Sequence, residues 1–253
     1  MPVSNLKLLD FYAGIGGASV AAQKLGIKTL QFIEIDSDAQ HILRSQFPGI
    51  PIHSDIRDYK PLLQKDIIQW HSFPCTGTSS AGKRQGLSHP DSALWRESLR
   101  CIVEGQPKFV VIEQPEGFIR RGLQTVCGAL RVFGYSRQDI QIVSAAELGA
   151  GHERRRLFLI AYSDGLLLKE RATCWDDQMR AVVKEIRDSS RWLTIERTSN
   201  ESAYGIPRGL VRPFTVKNGT SKRLRARFLC GRSVTPPQAE VALRRVVYLN
   251  SIS

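Results

Sequence analysis

The sequence has no apolar run approaching the roughly 18 residues that a membrane-spanning helix needs, which sets aside a helical membrane protein. Cysteine is scarce. Cys75, Cys101, Cys127, Cys174 and Cys230 are an odd number at wide spacings, with no CxxC pair. That argues against a disulfide framework and gives no zinc or dithiol signature, so no metal site is expected. Internal repeats and low-complexity tracts are absent. The opening MPVSNLKLLDFYAGIGG lacks the basic, apolar and small-residue succession of a secretory leader, so a cytoplasmic location is expected. Acid is short relative to base: 24 Asp and Glu against 36 Lys and Arg leave a formal charge of +12. Such an excess favours a polyanionic partner. It is unevenly placed, because residues 169–232 hold 15 Lys/Arg and only 7 Asp/Glu.

What is present is alternation. At 253 residues the chain suits one main domain with a small appendage. Strand-like runs LKLLDF, TLQFIE, DIIQWHSF, KFVVIE, residues 137–143 and LFLIAY are interleaved with helical patterns. The helical patterns are ASVAAQKLG, stopping at Gly26, then SDAQHILRSQF, SALWRESLRCIVEG and a helix ending near Gly134. Ser37 and Gln40 have the spacing of a capping box. Short connections in such a series predict a parallel sheet with helices on both faces. After Tyr162 the pattern lapses into one helix near residues 176–187, then turn formers and basic residues, read as a small irregular module. TPPQAEVALRRVVYL then starts a final amphipathic helix with prolines in its first turn.

Three places carry chemistry. DFYAGIGGAS joins a strand to a helix, where glycines let backbone amides approach a ligand at the helix's positive end. Glu34 ends the next strand, suited to ribose hydroxyls, and Asp55 follows the third, so a nucleoside cofactor is the better reading of a loop that lacks the third glycine of the dinucleotide fingerprint. Cys75 stands where an apolar strand meets a loop with Gly77, Gly82, Gly86, Lys83 and Arg84, a positive setting that favours thiolate. The other cysteines read as small buried hydrophobes. Glu113 ends KFVVIE and should emerge at the same crevice, with an ion pair as the plain alternative. In GHERRRLFLIAY, alternation sends Arg154 and Arg156 to one side and Arg155 to the other.

In this order the motifs resemble those of the DNA (cytosine-5-)methyltransferase family, in its compact bacterial and phage form. DFYAGIGG is similar to the family's S-adenosylmethionine loop, FPC with SSAGKRQGL to its catalytic loop, and IEQPEG to its glutamate motif. GHERRRLFLIAY is similar to its arginine motif, and CGRSVTPPQAE to the closing segment that returns to the cofactor. The resemblance implies an α/β, Rossmann-like S-adenosylmethionine-dependent methyltransferase sheet at residues 1–163, a target-recognition region at 164–227 and a returning segment at 228–253. It implies Cys75 as nucleophile, Glu113 as partner of the base's N3 and N4 edge, and Arg156 as partner of its O2, with Arg154 supporting. Tyr12, Ala13, Gly14, Ile15, Gly16, Gly17, Glu34, Ile35, Asp55, Ile56, Pro74, Leu94 and Ser233 would line the site of S-adenosyl-L-methionine. Ser79, Lys83, Arg84, Lys222 and Arg223 would meet DNA.

The expected protein is thus a monomeric enzyme, bacterial or phage-encoded, acting on double-stranded DNA, with a companion restriction endonuclease and an orphan regulatory role both left open by the sequence. Thr76, Gln114, Tyr12 and Arg232 depart from the family's usual glutamine, asparagine, phenylalanine and asparagine. They keep two alternatives open, a catalytically silent DNA-binding relative and a transfer RNA cytosine-5 methyltransferase. A dehydrogenase would explain the glycine loop but leave Cys75, Glu113 and Arg156 without a role.

Overall fold

The run FVVIEQP is apolar on both sides of the pleat, and in the computed structural model it becomes strand β5 (Phe109–Pro115), buried from Phe109 through Gln114. The structure describes residues 5–61, 63–74, 94–189 and 221–253. Around β5 lie β1 (Lys7–Phe11), β2 (Lys28–Ile33), β3 (Ile52–His53), β4 (Ile67–His71), β6 (Arg137–Ser144) and β7 (Arg155–Tyr162). They form a seven-stranded sheet in the order β3-β2-β1-β4-β5-β7-β6. The chain turns back between β1 and β4, and at such a reversal the carboxyl ends of parallel strands open a crevice.

The sheet is parallel from β3 through β5, as the alternation implies. β7 departs from that expectation, running antiparallel to both neighbours. A parallel return needs a crossover of a dozen or more residues, whereas only residues 145–154 join β6 to β7. The start of β7, rather than its end, therefore lies at the crevice, with Arg156 opposite Pro115.

The helices are α1 (Gly17–Lys24), α2 (Ser37–Gln46), α3 (Trp95–Gly105), α4 (Leu123–Val132), α5 (Trp175–Ser189), α6 (Ser221–Arg232) and α7 (Pro236–Ser251). Leu8, Trp70, Val111, Phe158 and Ile160 face one way and pack with apolar residues of α1, α5 and α7. Val110, Ile112, Leu157 and Leu159 face the other way, with Trp95 and Ile102 of α3 and Val126 and Leu130 of α4. Each face is apolar enough to require its cover, the condition for a doubly covered sheet. Trp175 and Ile186 place α5 within the main core, so residues 175–189 are part of the sheet's packing.

Two local expectations are corrected. The cap of α2 is Asp36, one residue before Ser37, and its carboxylate accepts from the amides of Asp38 and Ala39 at 3.1 Å each. Aspartate is as good a cap as serine, and Gln40 instead donates to the Glu34 carbonyl at 2.6 Å. The second correction is α6, a helix inside the stretch read as irregular. Its apolar anchors are few, chiefly buried Leu229 and Cys230, which explains the weak periodicity. Arg225 adds ion pairs to Asp36 and Asp38. The turn into α7 follows expectation, with Thr235 as cap and Pro236 in the first turn. Among the described residues no helix is long and apolar enough to cross a membrane.

Candidate active site

The glycine loop leaves β1 through Tyr12, a non-glycine residue with φ 57°, followed by Gly14 and Gly16 at φ 56° and 84°. The Tyr12 hydroxyl donates to the Leu94 carbonyl at 2.9 Å, and both side chains border the cluster that contains Ile56. Gly17 has a different need: a Cβ there would lie 2.1 Å from the Val234 carbonyl oxygen, so only glycine lets the C-terminal segment come this close. Ser233 completes the junction, with its hydroxyl 3.4 Å from the Ile15 amide.

Glu34 fastens the loop from the other side. One carboxylate oxygen accepts from the Gly14 amide at 2.7 Å and the other from the Asp36 amide at 2.8 Å. Burial pushes this carboxyl up, while the two amide bonds pull it down. The Gly16 amide is taken by the Ala13 carbonyl at 2.9 Å. Loop amides expected to meet a ligand are thus spent on protein acceptors, and the carboxylate's second lone pairs are what the loop region offers to hydroxyl groups. Beneath it, Asp10 is fully buried and accepts from the Ser19 hydroxyl at 2.7 Å. Burial raises its pKa to about 7, against the opposing effect of that bond.

At the far end of the crevice the Arg156 Nε lies 2.9 Å from a Glu113 carboxylate oxygen, both side chains being largely buried. The β5–β7 register sets this pair, since Glu113 and Arg156 stand two positions apart on one face. Gln114 points to the other face and donates to the Phe73 carbonyl at 2.9 Å, holding the chain two residues before Cys75. Its Oε1 is buried and has no hydrogen-bond partner among the described residues. Arg155 pairs with Glu116 at 2.9 Å. Arg154 does not join Arg156: its Nη2 donates to the carbonyls of Gly231 and Ser233 at 2.8 and 2.6 Å, because strand alternation does not govern a residue that precedes β7.

One cleft of about 390 Å³ joins these ends. Tyr12, Gly14, Glu34 and Ile35 line it at the glycine-loop end, Glu113, Gln114 and Arg156 at the other, and Phe73 and Pro74 between them. A volume of this size suits a nucleoside-sized ligand. Leu229, Gly231 and Arg232 of α6 also line it, which the closing-segment motif foreshadowed only through Ser233. Asp55 and Ile56 are set back from the cleft. Asp55 is chelated by Arg57, which lowers its pKa to about 2, and Ile56 is buried, its carbonyl accepting from Arg100 at 2.6 Å. Cys75, Ser79, Lys83 and Arg84 lie outside the described residues, as do the side chains of Lys222 and Arg223. Among the described residues no group of side chains could hold a metal ion.

The family profile described as C-5 cytosine-specific DNA methylase matches residues 6–205. Type II methyltransferase M.CviJI of Paramecium bursaria Chlorella virus IL3A is 32% identical over 161 residues, covering 62% of this chain and 43% of the relative. Type II methyltransferase M.HpaII of Haemophilus parainfluenzae is 32% identical over 162 residues, covering 61% and 45%. The matched part therefore spans less than half the length of these curated relatives. Among solved structures, S. pombe Dnmt2 methyltransferase superposes with a TM-score of 0.61 at 16% identity, covering 97% of this chain and 98% of that one. A mutant of Spodoptera frugiperda DNMT2 gives 0.63 at 12% identity, covering 96% and 100%. These likenesses bear out the Rossmann-like methyltransferase sheet.

Proposed function

The chain belongs to the C-5 cytosine-specific DNA methylase family, and from that premise we propose that it transfers a methyl group from S-adenosyl-L-methionine to carbon 5 of cytosine in double-stranded DNA. The observation that carries the proposal is a cleft in which a buried acid, Glu34, and a carboxylate–guanidinium pair, Glu113 and Arg156, face one another across Pro74. The residues present fit the cofactor. Glu34 keeps lone pairs for ribose hydroxyls, and Ile35, Ala39 and Leu229 give the same wall apolar surface. When bound, S-adenosyl-L-methionine supplies an electrophilic methyl group.

Carbon 5 of cytosine is a poor nucleophile until something adds to carbon 6. We assign that addition to the thiolate of Cys75, the residue that follows Pro74 in the sequence, Pro74 itself lining the cleft. After transfer the proton on carbon 5 leaves, the bond from sulfur to carbon 6 breaks, and the thiolate and the aromatic ring are restored. Glu113 is assigned the N3 and N4 edge of the base, and Arg156 its O2. Arg154 acts on the site at one remove, by holding the carbonyls of Gly231 and Ser233. The base has to leave the duplex stack to reach this cleft. Apart from α5, whose Trp175 and Ile186 pack in the sheet's core, target recognition is assigned to the basic region 164–227, in which residues 190–220 lie outside the described structure. Its phosphate contacts should give binding a salt slope of about 0.9 per contact.

Labelled S-adenosyl-L-methionine with duplex DNA or transfer RNA as acceptor tests the reading directly. Label in duplex DNA, located at cytosine by bisulfite sequencing, is expected. Label in transfer RNA alone would move the substrate assignment, and none in either would leave a DNA-binding relative. Duplex carrying 5-fluorocytosine should trap a denaturation-resistant complex. Its failure to form in an active preparation would remove the covalent step.

A further inference from the structure

The cations around the cleft are not equally engaged. Arg156 is committed to Glu113, Arg225 to Asp36 and Asp38, and Arg154 to two backbone carbonyls. Arg232 also lines the cleft, yet among the described residues it forms no ion pair. Its guanidinium lies over the Phe228 ring, 4.5 Å from the centroid. The main chain beneath it is clamped, because the two carbonyls that Arg154 holds belong to Gly231 and Ser233, the residues on either side. Glu34 is not in contact with it as an ion pair, its carboxylate oxygens accepting from the Gly14 and Asp36 amides, although the Arg232 charge is close enough to act on that carboxyl. The result is an oriented guanidinium at the donor end of the cleft, held by stacking and without an ion-paired carboxylate among the described residues.

We propose that Arg232 makes this cleft selective for a sulfonium nucleoside that carries a carboxylate, which the guanidinium receives. The inference rests on the methyltransferase reading and deepens it. A sulfonium and an ammonium are both positive, and bringing them beside a guanidinium that no carboxylate pairs with among the described residues is unfavourable unless the ligand places negative charge between them. A guanidinium is also suited to a planar carboxylate, through two parallel charge-assisted hydrogen bonds that a lysine cannot reproduce. The carboxylate has two chemical sources. One is the amino-acid arm of the donor. The other is the transferred group itself: with a carboxymethyl sulfonium, CH2COO⁻ would pass to carbon 5, the sulfonium leaving as a neutral thioether and carbon 5 losing its proton.

Calorimetry on the full chain separates the possibilities without relying on turnover. S-adenosyl-L-homocysteine is compared with its decarboxylated counterpart, which has a 3-aminopropyl arm. S-adenosyl-L-methionine is compared with the analogue whose transferable methyl is replaced by carboxymethyl. In the native chain, the carboxylate-bearing member of at least one pair should bind about ten- to a hundredfold more tightly than its partner. Arg232→Asn should erase that preference, and Arg232→Lys should retain only part of it. Erasure confined to the first pair assigns Arg232 to the amino-acid arm. Erasure confined to the second assigns it to the transferred group, and methylation against carboxymethylation of duplex DNA should then shift in the same direction. Because Arg232 is exposed and makes no ion pair among the described residues, the variants should melt like the native chain. Equal preferences in native chain and Arg232→Asn, for both pairs, would overturn the proposal. Failure of the native chain to bind any of the four nucleosides would instead remove the cofactor reading, and this inference with it.

Discussion

The two ends of the cleft are built in opposite ways. At the glycine-loop end the chain closes on itself through backbone: Glu34 takes two amides, Gly17 admits the Val234 carbonyl, and Ser233 meets Ile15. At the other end two charged side chains from adjacent strands hold each other, and Gln114 secures the approach to Cys75. A backbone-built end can be tuned only at the few side chains that enter it, such as Glu34 and Arg232. A side-chain-built end can be changed one functional group at a time. Chemistry should therefore be lost by substitutions at the second end that leave donor binding intact, and donor binding by substitutions at the first.

The largest expected effect is at Cys75. Cys75→Ser should lower methyl transfer by more than about a thousandfold, since a hydroxyl is a far weaker nucleophile at neutral pH, while calorimetric affinity for S-adenosyl-L-homocysteine stays unchanged. Joint loss of both would break the division into two ends.

Next comes Glu113→Gln, expected to reduce single-turnover transfer by about a hundredfold or more, again with donor affinity preserved. Removing the other member, as Arg156→Leu, leaves a buried carboxylate without its partner and should cost about 3 kcal/mol in denaturant unfolding. The double variant Glu113→Gln with Arg156→Leu should recover part of that stability. Simple addition of the two losses would show that the pair is not coupled.

At the first end, Glu34→Ala should weaken S-adenosyl-L-homocysteine by about tenfold or more and leave DNA affinity in the absence of donor nearly unchanged. Equal weakening of DNA would mean that the ends are not separable.

The smallest effect concerns Asp10. Its folded pKa near 7 lies above the ordinary carboxyl value, so the folded state holds a proton that the unfolded chain releases. The stability this contributes is full below about pH 4 and is lost as the pH rises through 7. Asp10→Asn, which keeps an acceptor for Ser19, should flatten the fall in melting temperature between about pH 5 and pH 8, a difference of a few degrees. Parallel profiles for the two proteins would refute that titration.

Much of this was readable from residue order because period and punctuation are local signals. KFVVIE was apolar enough to read as a central strand, and Gly26 and Gly134, both with positive φ, do end helical segments. The meeting of Glu113 and Arg156 was not readable, because a parallel β7 would have put Arg156 at the opposite edge of the sheet from the end of β5. What escaped depends on three-dimensional partners. Whether Arg154 turns to a carboxylate or to the carbonyls of Gly231 and Ser233 is decided by a segment almost eighty positions away. The antiparallel β7 had a signal in the shortness of residues 145–154, whereas α6 had almost none, its stability resting on Leu229, Cys230 and the Arg225 ion pairs. The glycine loop was recognised, but the spending of its amides on Glu34 and Ala13 was not legible in spacing alone.

The contact between Gly17 and Val234 has a consequence for biosynthesis. A ribosome adds about 5 to 20 residues per second, so the loop around Gly17 emerges roughly 10 to 45 s before the segment that seals it. Through that interval β1 and α1 can pair with their neighbours, but the donor end lacks Ser233, Arg232 and the whole of α7. A nascent chain is then an incomplete receptor, and ligand can stabilise it only once the last strand of the sheet has long been made.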